Sequence, residues 1–241
     1  MIISLLIIIS SAYALLRTPS VQTYIVGKLT NYLSEKLHTV VSIDGVDIEF
    51  ISKVVIEGIY VEDLHKDTLL YAQKLKVDIQ KLLLDKNIIN LKGVILEECR
   101  VNLVQYKNEE DLNFQFIVDA FDNGDTTTTK NKKPLKIFSN KLELKNVDFS
   151  YNYEADTSSF AGVNFDHIHL KNVNGSFESI KIINDTIHAD IKSLSLRDKS
   201  GFQVYEMSTN FKISPKEMIC ENLHLITNKS KIKGQLKFET N

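Results

Sequence analysis

Apolar and polar positions change their period twice along the chain. Met1–Leu16 (MIISLLIIISSAYALL) has no amphipathic period, because it carries no charged side chain. From Val21 the apolar residues recur at every fourth position, at Val21, Ile25, Leu29, Leu33 and Leu37, with Tyr24 and Tyr32 beside them. Gln22, Lys28, Asn31, Glu35 and Lys36 supply the polar side. That spacing predicts one amphipathic helix over 18–38, with Thr18-Pro19 as its N-cap and first helical residue. From Val40 the period becomes two, and strand-like runs follow almost to Asn241.

The alternation is clearest at Val147, Phe149, Tyr151 and Tyr153, with Asn146, Asp148, Ser150 and Asn152 between them. One face is aromatic and apolar, the other wet. Similar one-sided runs are Ile187-x-Ala189-x-Ile191, Met207-x-Thr209-x-Phe211-x-Ile213 and Ile232-x-Gly234-x-Leu236-x-Phe238. The shift of phase from Ile191 to Leu194 requires a bulge or strand end near Lys192 and Ser193. Val55–Val61 and Leu75-x-Val77-x-Ile79 are further strands, and Ile88–Tyr106 holds a bent strand or hairpin. Lys81–Asp85 reads as a helical turn and Leu112–Phe121 as a short helix. Residues 122–134 (DNGDTTTTKNKKP) are polar and unpatterned, a flexible linker.

A short pattern recurs at irregular spacing: apolar, charged, Gly or Asn, apolar. It stands at Ile43–Val46, Ile56–Ile59, Leu91–Val94, Leu144–Val147, Leu170–Val173 and Cys220–Leu223. Gly and Asn tolerate bulged or left-handed backbone, which marks these positions as irregularities within strands. A sheet with one apolar face must bury it against helices, another sheet or itself. Only two short helical candidates follow His38, too few to cover about a dozen strands. The sheet therefore either folds over into a closed sandwich or leaves apolar surface for a ligand.

Composition narrows the class. The net charge of −2 excludes the clustered positive charge that a nucleic-acid binder needs. With three Pro and no Trp in 241 residues, long uninterrupted elements are favoured, and 12 Phe and 9 Tyr supply bulk for pleated faces. Cys99 and Cys220 form no CxxC; they pair in an oxidising compartment or stand as buried thiols. The apolar start is a membrane anchor or a cleaved signal. Sixteen helical residues span about 24 Å, short of a ~30 Å hydrocarbon core, and Ala12-Tyr13-Ala14 resembles a small-x-small cleavage site. No basic stretch precedes Ile2, as either reading expects; an upstream start beyond Met1 accounts for this.

Enzymatic signatures are missing. There is no Gly-rich phosphate loop, nucleophile elbow or zinc knuckle, so no catalytic residue, metal ligand or cofactor site is assigned. His167-x-His169 places two imidazoles on one strand face with no third ligand indicated, and reads as a surface pair. Glu62-Asp63 and Glu97-Glu98 alternate faces and read as solvated edge charges. Asn174-Gly175-Ser176, Asn184-Asp185-Thr186 and Asn228-Lys229-Ser230 match the glycosylation sequon but read as turns.

The order of segments, an apolar anchor, Arg17-Thr18-Pro19-Ser20-Val21-Gln22, an amphipathic helix, Val41-Ser42-Ile43 and then strands, resembles the start of AsmA-like proteins, above all the large TamB-type members of the translocation and assembly module. Asp67-Thr68-Leu69-Leu70-Tyr71-Ala72, leading into Leu75-x-Val77, is similar to an early strand of that family. Leu142-x-Leu144-x-Asn146-Val147-x-Phe149 and Leu223-x-Leu225-x-Thr227-x-x-Ser230-x-Ile232-x-Gly234 are similar to its recurrent strands. The resemblance implies a single-pass inner-membrane protein whose periplasmic body is a long, curved antiparallel sheet forming an open, lipid-lined groove. It implies roles in phospholipid transport and in outer-membrane protein assembly, the latter through an outer-membrane partner met by a C-terminal region. TamB-type members are far longer, so the chain reads as an N-terminal portion.

The expectation is a mainly β protein with few short helices. It comprises an anchor (1–16), an amphipathic helix (18–38), a first groove segment (40–121), a linker (122–134) and a second groove segment (135–241). Phospholipid acyl chains are the expected ligand, with Phe149, Tyr151, Tyr153, Phe211, Ile213, Leu236 and Phe238 lining the groove. The competing expectation is an anchored closed β-sandwich, structural or adhesive, without a ligand; an anchored hydrolase ranks third. The anchor reading predicts that the full chain resists alkaline carbonate extraction, whereas a chain beginning at Ser20 is soluble. Release of the full chain from membranes by carbonate contradicts it.

Overall fold

In a computed structural model, the protein is described over residues 18–49, 52–83, 87–121, 136–157 and 162–239, together with Ala14. The anchor expected over 1–16 and the linker expected over 122–134 lie outside the described residues, Ala14 apart. Helix α1 (Pro19–Leu37) follows the four-residue stripe, and Leu37 is its buried end. Pro19 takes the first helical position. The Thr18 carbonyl starts the ladder by accepting from the Val21 and Gln22 N–H groups at 3.1 Å. His38, in the left-handed conformation (φ 54°), ends it. No helix among the described residues is long and apolar enough to cross a membrane.

The described strands form one sheet. They are β1 (Val41–Ser42), β2 (Gly45–Glu49), β3 (Lys53–Glu62), β4 (Thr68–Leu83), β5 (Ile88–Gln105), β6 (Lys136–Tyr153), β7 (His167–Ile183), β8 (Thr186–Asp198), β9 (Gln203–Ile213), β10 (Glu217–Thr227) and β11 (Lys231–Glu239). Strands β3 to β11 lie side by side in chain order, and β1 and β2 share the outer edge of β3. The sheet is open, with β11 at one edge and β1 and β2 at the other. The closed two-sheet sandwich is therefore not the architecture. Lys81–Leu83 continue β4 and do not form a helical turn, and Asn174-Gly175-Ser176 lies within β7 and not in a turn.

One pair departs from the expected antiparallel order: β5 and β6 run parallel. A parallel neighbour needs a crossover that returns the chain to the starting end, and residues 106–135 supply its length. Within that connection lies helix α2 (Gln115–Phe121), close to the predicted short helix. Leu37, Val41, Val61 and Leu69 form a core under α1, and Phe114, Phe116, Ile117 and Ala120 pack on it from the α2 side.

The start of the crossover is fixed by Asp63, which is 0 % exposed. This corrects its expected place among solvated edge charges. Its carboxyl group accepts from the N–H groups of His65 (2.9 Å) and Asp67 (3.0 Å) in its own hairpin turn. It also accepts from Tyr106 Oη (2.7 Å) and Asn113 Nδ2 (2.9 Å) across the crossover. Asn113 in turn acts as a strand neighbour of β5, with its backbone N–H on the Val104 carbonyl and its Oδ1 accepting from the Val104 N–H. Burial and the adjoining Asp63 raise the Tyr106 pKa well above the ordinary phenol range. Asp198 and Thr227 close later hairpins at the same end in the same way, each accepting the N–H two residues on.

The recurring apolar–charged–Gly/Asn–apolar pattern marks bulges. Gly58, Asn146, Asn172 and Asn222 take left-handed φ values of 52–62°, and the register shifts across Leu144/Val147 and Cys220/Leu223. Gly45 and Gly93 do not take that conformation. Glu98 does (φ 50°), a position missed because its residue is neither Gly nor Asn. At Gly58 a side chain is excluded twice, by φ and by Asp44 Oδ2, 1.9 Å from where a Cβ would stand. The shift expected near Lys192 and Ser193 occurs between Ile191 and Leu194. Asn172 donates to Asn146 Oδ1 (3.2 Å) and Asn146 to Glu98 Oε2 (2.6 Å), so adjacent bulges are linked.

Replacing Asp63 by Ala takes an acceptor from the N–H groups of His65 and Asp67 and from one N–H of the Asn113 amide, and leaves the Tyr106 hydroxyl only Asp67 Oδ2. At about 1–3 kcal/mol for each unsatisfied group, the expected loss is about 3–5 kcal/mol. Chemical denaturation measures it; a loss under about 1 kcal/mol removes Asp63 from this role.

Candidate functional site

The bulges decide which side chains share a face. A strand alternates strictly, so an inserted residue brings positions i and i+3 to the same side. Leu144 and Val147 therefore face one way, as do Leu170 and Val173, and Cys220 and Leu223. The outcome is a set of apolar rows that cross the sheet. In one, Leu82, Ile89, Ile137 and Ile182 lie in register on β4 to β7. Ile187, Ile213, Met218 and Phe238 continue it on β8 to β11. In another, Val46, Ile56, Leu75, Leu96 and Leu144 lead on to Gly175, Leu194, Met207, Leu225 and Ile232. The gap at Gly175 is occupied by the Phe177 ring, 2.7 Å from where a Cβ would stand.

Two small polar side chains on this face bond nearby backbone carbonyls. Ser139 Oγ donates to the Lys141 carbonyl (2.9 Å) and Thr209 Oγ1 to the Glu221 carbonyl (2.7 Å). Cys99 and Cys220 are buried, unpaired thiols on this face, and burial pushes Cys99 up to about 11. Both behave as small apolar residues and not as nucleophiles.

All seven predicted lining residues fall on this face, in two separate groups. Phe149 pairs with Val101 and Leu170, Tyr151 with Leu103 and Ile168, and Tyr153 with Gln105; all three are half-buried near the Asp63 end. Phe211, Cys220 and Leu236 form a row, as do Ile213, Met218 and Phe238, on β9 to β11. Ile137, in the row of Ile213, precedes Tyr151 by fourteen positions, about 45 Å of strand. The seven are thus two ends of one surface. Sequence reading missed Leu82, Ile89, Ile137, Ile182 and Met218, because membership of a row depends on register between strands.

Cover is uneven. Helices α1 and α2 serve the β1–β5 side. Among the described residues no element lies over β8 to β11, where Ile187, Ile213 and Leu236 are 37–38 % exposed and Phe238 55 %.

The opposite face is polar. Glu57, Lys74, Glu97 and Lys145 stand in register across β3 to β6, with Lys74–Glu57 and Lys145–Glu97 ion pairs of 2.9 Å. This corrects Glu97 from an edge charge to a charge on an interior strand. A depression of about 290 Å³ opens here over Val55, Gly93 and Ile95. Two of its rim lysines, Lys76 and Lys141, already face Glu97 and Glu143, so they do not present free charge to an anion. His167 is held by Asn152 Oδ1 and the Asp156 carbonyl. No group of three metal-ligating side chains occurs among the described residues.

No family model matches the sequence, and no curated protein matches it significantly.

Lys145 and Lys141, hydrogen-bonded to Glu97 and Glu143, hold those carboxyls below the ordinary carboxylate range. A depressed folded-state pKa stabilises above the unfolded value, about 4.3, and that contribution is lost as pH falls through the folded value. Acidification below about pH 4 therefore weakens the polar face. In Glu97→Gln the melting temperature should depend less on pH between about 3 and 6. An unchanged pH profile contradicts the ladder's contribution.

Proposed function

We propose that the protein binds the acyl chains of phospholipids along the apolar face of its sheet, anchored in the inner membrane with its β body in the periplasm. The reading is of the AsmA/TamB type: phospholipid transport towards the outer membrane, with a part in outer-membrane protein assembly. The observation that carries it is the run of apolar rows across the sheet, left uncovered over β8 to β11 among the described residues. Soluble proteins rarely leave a contiguous apolar patch of more than a few hundred Å² without a partner for it. Strands twist, and bulges bend them, so a sheet this wide with bulges on many strands favours a groove over a flat surface. Such a face recognises chains, at about 0.8 kcal/mol per buried methylene. The Ser139 and Thr209 hydroxyls on it are satisfied internally, which leaves head groups to the rim.

The test separates an open face from a closed core. Purified protein should carry phospholipid in native mass spectrometry. Ile213→Asp places a charge where solvent reaches it, so folding should survive while lipid occupancy falls about tenfold, roughly 1.4 kcal/mol. Val147→Asp, at a position only 6 % exposed, buries the charge and should cost several kcal/mol of stability. Absence of lipid from the parent protein, with Ile213→Asp unfolding as readily as Val147→Asp, overturns the reading.

A further inference from the structure

The outer face of α1 has a composition unlike that of an ordinary solvent-exposed helix. Its exposed stripe runs Ser20, Thr23/Tyr24, Gly27/Lys28, Asn31/Tyr32 and Glu35, so it carries two charges and two tyrosines. Tyr24 is 65 % exposed and Tyr32 54 %; they stand eight residues apart, on one side of the helix. Lys28 Nζ lies 5.8 Å from the Tyr24 ring. Tyrosine with a nearby lysine is the pairing that suits the boundary between head groups and acyl chains. Helix α2 adds exposed Val118 and Phe121, and Lys36 of α1 lies 5.0 Å from the Phe121 ring.

The position of α1 fixes what that stripe faces. Ser34 acts as a strand neighbour to Val41: its Oγ accepts from the Val41 N–H at 3.1 Å and donates to the Val41 carbonyl at 3.2 Å. Gln22 Nε2 donates to Asp47 Oδ1 at 3.2 Å on β2. Helix α1 therefore runs along the first edge of the sheet, from β2 to β1, and its other side faces away. In sequence, only Arg17 and Thr18 separate the uncharged segment ending at Leu16 from Pro19. Two residues span at most about 7 Å, so whatever takes up that segment holds the start of α1 at its surface.

Resting on the anchor reading above, we propose that α1 lies in the plane of the bilayer surface with Tyr24 and Tyr32 at head-group depth, and that the sheet stands upright on this edge. The apolar rows then run along the membrane normal. Nine strand spacings of about 4.8 Å place β11 about 43 Å from the first edge. Lipid leaving the bilayer meets the side of the face nearest α1 first, and the β8–β11 side, uncovered among the described residues, lies farthest out.

The chain contains no Trp, so a single introduced indole reports alone. Tyr24→Trp, Tyr32→Trp and a control, Tyr205→Trp on the polar face of β9, are each made in the full chain. They are reconstituted in phosphatidylcholine vesicles with and without lipids brominated at shallow acyl positions. The expected result is a blue shift and about twofold lower emission for Tyr24→Trp and Tyr32→Trp, with Tyr205→Trp unchanged. Vesicle-bound protein in which all three variants respond alike overturns the orientation and leaves the anchor standing. Quenching at position 24 without quenching at 32 shows a helix that leaves the surface, and overturns it too. Protein that does not stay with the vesicles at all removes the anchor and the orientation together.

Discussion

The phase of alternation along each strand is the constraint on which the rest of the structure depends. With a side-chain period of two, a one-residue slip moves a strand's apolar set to the wrong face. Leu144 and Val147 are an odd number of positions apart, and strict alternation would place them on opposite faces. Asn146, in left-handed backbone, absorbs the extra residue and restores phase; Asn172, Asn222 and Gly58 do the same elsewhere. A left-handed residue costs about 1–2 kcal/mol for most side chains and least for Gly and Asn. The recurring charged residue before the bulge is explained as well: Lys145 and Glu57 point to the wet face, where they join an ion ladder. One local device thus sets both faces of the sheet.

The strand pairing needs a second device at the crossover. Antiparallel neighbours follow from short hairpins, but β5 and β6 are parallel, so β5 must hand the chain to a connection that leaves the sheet. Asp63 ties that departure to the nearest hairpin through Tyr106 and Asn113. An acceptor-only carboxylate with four donors around it satisfies the backbone and side chains of two loops at once. The helices belong to this end because the crossover delivers α2 beside α1, which is why cover is concentrated over the first half of the sheet.

Much of this was legible in the sequence. The α1 stripe, the β character from Val40, the short helix before residue 122 and the bulge near Ser193 all follow from periodicity over neighbouring residues. The face of each lining residue was legible for the same reason. The parallel pair was not foreseen, although the length of residues 106–135 exceeds what a hairpin needs and was a usable signal. Asp63 was misread because burial of a carboxylate depends on partners 43 and 50 residues away in sequence, Tyr106 and Asn113. The division of Phe149, Tyr151 and Tyr153 from Phe211, Ile213, Leu236 and Phe238 is a matter of register, which single strands do not disclose.

The two edges of the described sheet are treated differently. An exposed edge offers unpaired N–H and C=O groups to any passing strand. On the first edge, Ser34 of α1 occupies the backbone groups of Val41, so β1 is closed to further pairing there. On β11 the described residues offer no such cover, but the outward positions carry Lys231, Lys233 and Lys237. Lysines on an edge discourage aggregation without removing its capacity to pair with a chosen strand. The same asymmetry holds for the apolar face, which among the described residues is covered near α1 and open near β11. Because the rows from Leu82 to Phe238 and from Val46 to Ile232 are continuous in register, with the Phe177 ring filling the gap at Gly175, neighbouring strands exchange Ile for Ile or Leu for Met and the described face is one apolar surface across the sheet.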